Sequence, residues 1–256
     1  MPPRRLIVLG CGTSVGVPMI GCGCRVCTGG HPRNSRTRSS VIFQFEAGNL
    51  LIDTTPELRI QFLRERIPVA HAVAYTHYHV DHLFGLDDVR TFPHQIGGPL
   101  PLYCTDEVEA VIRSAFSYAF ETGRGGFLPS LTFERIDHRP FHVLGESVVP
   151  IPLEHAHFNV LGFRVGDLAY CTDVSRIPDA SWPLLAGLDV LILDALRPTR
   201  SHNSHLTVEE AIAIGQRLNV KRLILTHMSH DIDYETLNPS LPQGVELAYD
   251  GLTIEF

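Results

Sequence analysis

The sequence predicts an α/β fold of four layers, built from two β-rich halves that are each followed by helices. Short apolar runs typical of buried strands occur in both halves, and amphipathic segments with helical spacing separate them. No low-complexity linker divides the 256 residues, which are enough to bury a sizeable core. We therefore expect one domain of mixed α/β (α+β) class over residues 1–256.

The elements of the first half follow from apolar runs and helix-start signals. Proline and acidic residues favour the first turn of a helix, and Pro56 with Glu57 forms such a start. A glycine-rich loop follows the first strand, and glycines let a backbone approach a ligand closely. The expected elements are a strand over 6–9 that ends at Gly10, a hairpin over 40–45 and 49–52, a helix opened by Pro56, a strand over 72–75 and a helix over 107–120.

The second half shows the same alternation. Short runs separated by turn residues over 131–171 are typical of antiparallel strands, and 188–193 is a buried strand that ends at Asp194. Thr207 and Glu210 form a capping-box pattern, which predicts a helix from Thr207 to Leu218. The last apolar run, 223–225, leads directly to a histidine.

A short histidine-rich stretch follows the buried strand over 72–75. It places His77, His79, Asp81 and His82 within six residues. Imidazole and carboxylate groups bind divalent metals of intermediate hardness. A His-rich turn can also be plain polar surface, but here a strand delivers all four groups to one point. We therefore expect a metal site there.

A second cluster of metal-binding residue types lies nearer the N-terminus. Cys22, Cys24 and Cys27 supply three thiols in six residues. Structural zinc prefers four tetrahedral ligands, and His230 is the best candidate for the fourth because it lies three residues after another expected ligand. The alternative is three free cysteines in an exposed loop, which would be open to oxidation. We expect a structural zinc.

The pattern His-x-His-x-Asp-His after a strand resembles the signature of the metallo-β-lactamase superfamily. That resemblance implies an αββα sandwich holding two metals, and it covers nearly the whole chain. Three further ligands occur in the required order, His155, Asp173 and His227. The resemblance implies one metal held by His77, His79 and His155, a second held by Asp81, His82 and His227, and a bridge formed by Asp173.

A narrower resemblance is to the PhnP group of phosphoribosyl cyclic phosphodiesterases. It rests on Gly-Thr-Ser-x-Gly-Val-Pro-x-x-Gly-Cys-x-Cys-x-x-Cys from Gly12, on Leu-Ile-Asp-Thr-x-Pro-Glu-Leu-Arg from Leu51 and on Gly-Leu-Asp-Asp-x-Arg from Gly85. The group carries the same Cys₃His zinc, and the resemblance implies a homodimer. We expect Thr13 and Ser14 of the first motif to contact substrate.

Catalytic roles are expected for Asp81 and His205. His205 precedes the capped helix and resembles the histidine that assists the phosphate and leaving group in tRNA 3′-end processing nucleases. A lone histidine is more often structural, but its place before a capped helix favours a role in catalysis and substrate binding. His157 is a rival to His155 as metal ligand because it lies two residues later.

The motifs together predict a metal-dependent phosphodiesterase for small, cyclic ribose or nucleotide phosphodiesters. Two cations can activate a water and neutralise charge on the phosphoryl oxygens, and either zinc or manganese suits the ligands. The alternatives are a tRNA 3′-end processing endonuclease and a non-hydrolytic cofactor-biosynthesis protein on the same fold. The net charge of −7 argues against a nucleic-acid partner, which normally needs a basic face.

The composition and the N-terminal residues indicate what to expect about membranes and location. Hydrophobic and charged fractions of 44% and 19% are ordinary for a globular protein. No apolar run approaches the ~20 residues that span a bilayer, and the N-terminus shows no export signal, so we expect no membrane partner and a cytoplasmic location.

Two further parts of the sequence have an expected structural role. Arg33, Arg36 and Arg38 are expected to form a solvated cluster in a loop. The aromatic and glycine-rich segment 116–127 is expected either to overhang the site or to form part of the core and a turn.

Overall fold

A computed structural model describes residues 4–120 and 128–256 of the chain. Two β-sheets face each other across a shared core, and helices cover their outer faces. In the described part of the chain, the sheet orders are β14-β1-β2-β3-β4-β5-β6 and β13-β12-β11-β10-β9-β8-β7. The predicted four-layer α/β sandwich is therefore confirmed.

The first sheet joins both ends of the described chain. Its strands are β1 (Arg5–Gly10), β2 (Ser40–Phe45), β3 (Gly48–Ile52), β4 (Ala72–Ala74), β5 (Leu100–Cys104), β6 (Leu131–Arg135) and β14 (Thr253–Glu255). The second sheet contains β7 (Phe141–Val143), β8 (Glu146–His155), β9 (Phe158–Val165), β10 (Leu168–Cys171), β11 (Val190–Asp194), β12 (Arg222–Thr226) and β13 (Val245–Leu247).

The helices are short, and several belong to the loops around one edge of the sandwich. They are α1 (Arg25–Thr28), α2 (Leu58–Glu65), α3 (Val80–Leu83), α4 (Phe92–Ile96), α5 (Asp106–Ala115), α6 (Val208–Leu218) and α7 (Tyr234–Leu237). The predicted capping box of α6 is present, since the Thr207 hydroxyl accepts from the Glu210 amide and the Glu210 carboxylate accepts from the Thr207 amide. No helix in the described residues is long and apolar enough to cross a membrane.

Alternation along the strands divides the apolar residues between two layers of core. In β1, Leu6 and Val8 face the second sheet, whereas Ile7 and Leu9 face the helices on the outer side. This follows from the two-residue period of a strand. On the far side, Gly215 lets α6 approach β12 closely, because a Cβ at that position would lie 2.9 Å from the Leu223 side chain. The central strands of both sheets are therefore buried on both faces, whereas the edge strands β6 and β7 are partly exposed.

Parallel pairing brings the ends of several strands to one edge. Strands β3 to β6 run parallel in the first sheet, and β10 to β13 run parallel in the second. In open α/β sheets, ligands bind outside the carboxyl ends of the strands. The loops that leave the carboxyl ends of β4, β10 and β12 carry six of the predicted metal ligands, and the seventh, His155, is the last residue of the antiparallel strand β8.

Two predicted helices have different bounds in the structure. The helix after Pro56 begins at Leu58, and Glu57 lies at its N-cap rather than in its first turn, without capping through its side chain. The helix predicted over 107–120 ends at Ala115, and a separate 3-10 turn covers Ser117–Phe120. The rest of the predicted overhang, residues 121–127, lies outside the described residues.

The prediction of a solvated arginine cluster is wrong for Arg36. Its side chain is only 1% exposed, and its guanidinium donates to the carbonyls of Ser229 and Ile232 at 3.0 and 2.8 Å and to Asn34 at 2.9 Å. A buried charge requires such partners, because an unpaired one is very costly. Arg36 therefore holds the loop that follows β12.

Candidate dinuclear metal centre

Each predicted ligand of the dinuclear site lies at or just after the carboxyl end of a strand. The histidine-rich stretch follows β4 and continues into α3, and His155 is the last residue of β8. Asp173 follows β10 by two residues, and His227 comes directly after β12. The two facing sheets thus bring residues that are up to 150 positions apart in sequence (77 to 227) to one edge.

The structure brings His77, His79 and His155 together as one group of potential ligands. Nε2 of His77 lies 3.0 Å from Nδ1 of His79, and the rings of His79 and His155 are 5.2 Å apart. His157, the rival to His155, is exposed in the turn after β8. The geometry therefore favours His155.

A second group contains Asp81, His82, Asp173 and His227, all buried. Asp173 is central to it: one carboxylate oxygen lies 3.1 Å from Nε2 of His82, and the other lies 3.3 Å from Nε2 of His227 and 3.8 Å from Nε2 of His155. Asp173 thus contacts members of both groups, as a bridging ligand must. The structure thus brings all seven residues together at one edge, and their role as metal ligands stays a prediction.

Two buried nitrogens without a well-formed hydrogen bond indicate that these residues fit a metal. Nε2 of both His82 and His227 is buried and close to the Asp173 carboxylate, yet neither atom makes a hydrogen bond of acceptable geometry in the described structure. Buried polar atoms almost always have partners, so an exception requires an explanation such as an ion. Imidazole nitrogens beside carboxylates are a suitable donor set for a divalent cation, which would take the place of protons on these rings.

The charges of the site lead to the same conclusion. Burial alone would lower the pKa of His227, but the Asp173 carboxylate and its neighbours outweigh it and raise that pKa to about 9. Burial also lowers the pKa of His82, but the carboxylates of Asp173, Asp81 and Asp53 outweigh it and raise that pKa well above its usual value. The carboxylates thus stabilise positive charge close to them. Protons on His82 and His227 supply that charge here, as divalent cations would.

A buried carboxylate that the sequence analysis did not assign orients two of the ligands. Asp53 follows β3, is fully buried, and pairs with Nδ1 of His82 at 2.8 Å. It also accepts from the amide and hydroxyl of Thr76 at 2.8 Å, and that hydroxyl lies 2.9 Å from Nδ1 of His77. Such outer partners fix the tautomer and orientation of a metal-binding histidine. The Nε2 atoms of both rings are thereby left for metal.

A second unassigned carboxylate, Asp194, positions His205. Its oxygens pair with Nδ1 of His205 at 3.0 Å and accept from the Leu206 amide at 2.9 Å. The His205 ring stacks on His227 with centroids 4.6 Å apart and meets His155 at 4.7 Å. His205 therefore lies at the metal centre, with its ring held from the Nδ1 side.

The backbone at three of these positions is left-handed. Asp53, Asp173 and His227 have φ values of 65°, 56° and 58°. Left-handed conformations are uncommon for residues other than glycine and cost of order 1–3 kcal/mol when the surroundings impose them. Each residue comes one or two positions after a strand, so the turn in the backbone directs its side chain into the site.

The predicted substrate contacts, Thr13 and Ser14, lie beside this centre. The Thr13 amide donates to the carbonyl of Met228 at 3.2 Å, next to His227. Thr13 is buried, whereas Ser14 is exposed and its carbonyl accepts from Arg38 at 2.8 Å. The glycine-rich loop therefore forms a wall near His227, and substrate contact by these two residues stays a prediction.

The cysteine cluster is compatible with the predicted zinc. Sγ of Cys22, Cys24 and Cys27 lies 3.1, 3.5 and 3.6 Å from Nδ1 of His230. The Cys27 amide is the main cause that lowers the pKa of the Cys24 thiol to about 6, whereas burial and the neighbouring thiols raise that of Cys27 to about 11. The three sulfur atoms lie too close together to be thiolates at the same time without a cation, and zinc would supply the positive charge that stabilises them in that form.

We expect Cys24→Ser to lose one zinc per chain, lower the melting temperature and weaken activity without abolishing it. The zinc would tie the loop that carries His227 and His230 to the glycine-rich loop, so its loss should loosen a catalytic ligand. Metal analysis of reduced protein is the measurement. Cys104→Ser, at an isolated buried thiol, should keep the metal count. An unchanged metal count in Cys24→Ser, together with free reaction of Cys22, Cys24 and Cys27 with a thiol reagent in the native wild-type protein, would exclude the structural zinc.

The fold and the ligand set define the class of protein. The chain belongs to the β-lactamase superfamily, since the model of the β-lactamase superfamily domain matches residues 48–228. Within it the predicted likeness to the PhnP family is confirmed. A crystal structure of a diphosphatase from the PhnP family is 42% identical, covers 99% of this chain and 98% of that chain, and has a TM-score of 0.93.

Two other proteins show how far the likeness extends. An octanoyltransferase of Porphyromonas gingivalis is 37% identical over 254 residues, which make up 97% of this chain and 51% of that protein, so the chain spans about half of its length. The zinc-bound PqqB of Methylobacterium extorquens is 23% identical, covers 98% of this chain and all of that chain, and has a TM-score of 0.79. PqqB therefore has the same fold as this chain. The match to the superfamily model and the likeness to the PhnP-family diphosphatase together support a metal-dependent hydrolase.

Proposed function

We propose that this protein is a metal-dependent phosphodiesterase that hydrolyses small phosphodiesters, including cyclic ribose or nucleotide phosphates. The observation that supports it most is the pair of His205 and Asp194 beside the seven predicted ligands. A ligand atom of His205 lies within 4.8 Å of those of His155 and Asp173. A hydrolase that expels an alkoxide needs a proton donor at this place.

The roles of the chain's own residues follow from their positions. Divalent cations held by the seven ligands would supply an activated water and neutralise charge on the phosphoryl group. Asp173 would fix the spacing of the two positions, and Asp81 would complete the second one. Asp194 keeps Nδ1 of His205 engaged, so Nε2 is left to deliver a proton to the departing oxygen.

A second candidate is hydrolysis of a phosphoric anhydride. It is favoured by the 42% identity to a PhnP-family diphosphatase. The two activities share the metal centre and differ in the leaving group, because a phosphate needs less protonation than an alkoxide. A panel of cyclic diesters, linear diesters and diphosphates, assayed with defined zinc or manganese and again with chelator, separates them. Absence of chelator-sensitive hydrolysis across the panel would reject both.

The nuclease alternative makes a distinct prediction about salt. A protein that binds RNA through many phosphate contacts loses affinity for the RNA steeply as the salt concentration rises. This chain carries a net charge of −7, so we expect cleavage of small diesters to be nearly independent of salt and precursor tRNA to be cleaved poorly. Efficient, salt-sensitive cleavage of precursor tRNA that exceeds that of cyclic phosphates would reverse the ranking.

The non-hydrolytic alternative is disfavoured by the complete ligand set. A binding module on this fold has no need of seven ligands together with an oriented histidine. The cytoplasmic location, the homodimer and the single domain expected from the sequence stay predictions. Zinc or manganese in the dinuclear centre, and zinc in the cysteine cluster, are likewise part of the proposal.

A further inference from the structure

A pocket of about 600 Å³ adjoins the metal centre and is lined by residues from both sheets. His77 and Tyr78 from the histidine-rich stretch line it, so it begins where the metal ligands end. Its volume is in the range of small-molecule sites. His205 is not among its lining residues in the described part of the chain, and the pocket therefore lies away from the proposed proton donor.

The floor of this pocket is apolar. Val108 of α5, Ile136 after β6 and Leu161 of β9 line it and are 2%, 8% and 4% exposed. The Leu161 amide donates to the Thr76 carbonyl at 3.0 Å, which ties the second sheet to the loop of the metal ligands. A polar residue, Asn159, is exposed at the rim. An apolar floor with a polar rim suits an organic group rather than a bare ion.

The arginines that line the pocket are already paired with acidic side chains. Arg135 pairs with Asp106 at 3.0 Å and with Glu109 at 3.1 Å, and Arg139 pairs with Asp137 at 2.7 Å. The first turn of α5 carries three acidic residues, which neutralise the positive end of that helix. Among the described residues, both lining arginines are thus paired and acidic side chains outnumber them, so the pocket disfavours a second phosphate and favours an uncharged group.

Two aromatic side chains, Phe158 and Tyr78, lie between the predicted ligand His79 and the pocket. Phe158 is 41% exposed, and its ring lies 5.2 Å from that of the predicted ligand His79. It also meets Tyr78 edge-to-face at 5.9 Å, and Tyr78 lines the pocket. Exposed aromatic rings beside a phosphate site are typical stacking partners for a planar base.

We propose that this pocket, with Phe158 at its approach, binds the retained organic group of the substrate, and that this group is an uncharged sugar carrying an aromatic base. The proposal rests on the proposed phosphodiesterase function. The phosphoryl group lies at the metals, the leaving oxygen faces His205, and the nucleoside extends past Tyr78 into the pocket. Nucleotide diesters are therefore better substrates than equally reactive diesters with a small retained group.

The test compares two esters with one leaving group, thymidine 5′-(4-nitrophenyl phosphate) and methyl 4-nitrophenyl phosphate. We expect kcat/KM to favour the thymidine ester in the wild type. Phe158→Ala removes the stacking partner, and Asn159→Trp fills the rim. Each should lower kcat/KM for the thymidine ester about tenfold, mainly through KM, and leave the methyl ester within about twofold. Phe84→Ala is the matched control, because Phe84 is 44% exposed and does not line the pocket.

Binding separates a failure of this inference from a failure of the proposed function. Calorimetry should show thymidine 5′-monophosphate binding more tightly than methyl phosphate, and this difference should vanish in Asn159→Trp. Tighter nucleotide binding without hydrolysis of either ester would keep the pocket assignment and reject the phosphodiesterase. Equal binding of the two phosphates by the wild type, or equal losses for both esters in the variants, would overturn the pocket assignment.

Discussion

Replacing Asp173 with alanine is expected to reduce hydrolysis by roughly 10³-fold or more, because a metal pair contributes several kcal/mol of transition-state stabilisation. Asp173 is the carboxylate that contacts ligands of both groups, His82 and His227 on one side and His155 on the other. Without it the two metal positions lose their common ligand and their fixed spacing. Activity and metal content, measured on the same purified sample, should fall together.

The left-handed backbone at Asp173 calls for a second variant. With φ at 56°, alanine is strained there, and Asp173→Ala could lose activity by unfolding. Asparagine tolerates this conformation and keeps the shape of the side chain while removing the charge, so Asp173→Asn separates the two causes. Asp167→Ala, at an exposed aspartate in the turn before β10, should behave as wild type. A folded Asp173→Asn protein with full activity and two metals would contradict the proposed bridging role of the Asp173 carboxylate.

The histidine-rich stretch and His227 were predictable because metal-binding residue types follow an apolar run there, whereas His155 and Asp173 were identified from the resemblance to the metallo-β-lactamase pattern. Strand ends converge when strands are parallel. Asp53 and Asp194 also end apolar runs, Leu50-Leu51-Ile52 and Leu191-Ile192-Leu193. That signal was present, but their roles depend on which histidine each one meets. Asp53 pairs with His82 at a separation of 29 residues, which no local pattern reveals.

Other features depended on tertiary contacts in the same way. Arg36 looked solvated because its partners, the carbonyls of Ser229 and Ile232, lie nearly 200 positions later in the chain. Strand β5 contains Pro101, and a proline argues against a strand inside a sheet. Strands β13 and β14 are three residues long, too short for a periodic pattern to be seen. In each case pairing with a neighbour, rather than local propensity, decides the structure.

Replacing His205 with alanine is expected to leave the metal content unchanged and to reduce turnover by ~10²–10⁴-fold for diesters with poor leaving groups, as positioned acid–base groups do. Its ring is held by Asp194 at Nδ1 and stacks on His227, so loss of the ring removes a proton donor without removing a proposed ligand. His202→Ala is the matched control, since His202 is an exposed histidine of the same loop with its ring 5.4 Å from that of His205.

The leaving group distinguishes proton donation from other roles of His205. Nitrophenolate needs little protonation, so its esters should lose much less activity in His205→Ala than alkyl or cyclic ribose diesters. Asp194→Asn should weaken activity in the same direction by about 10–100-fold, because outer partners orient the group that acts. An equal loss for all leaving groups, with both metals in place, would instead make His205 a phosphate-binding residue, and the proton for the departing oxygen would have to come from solvent.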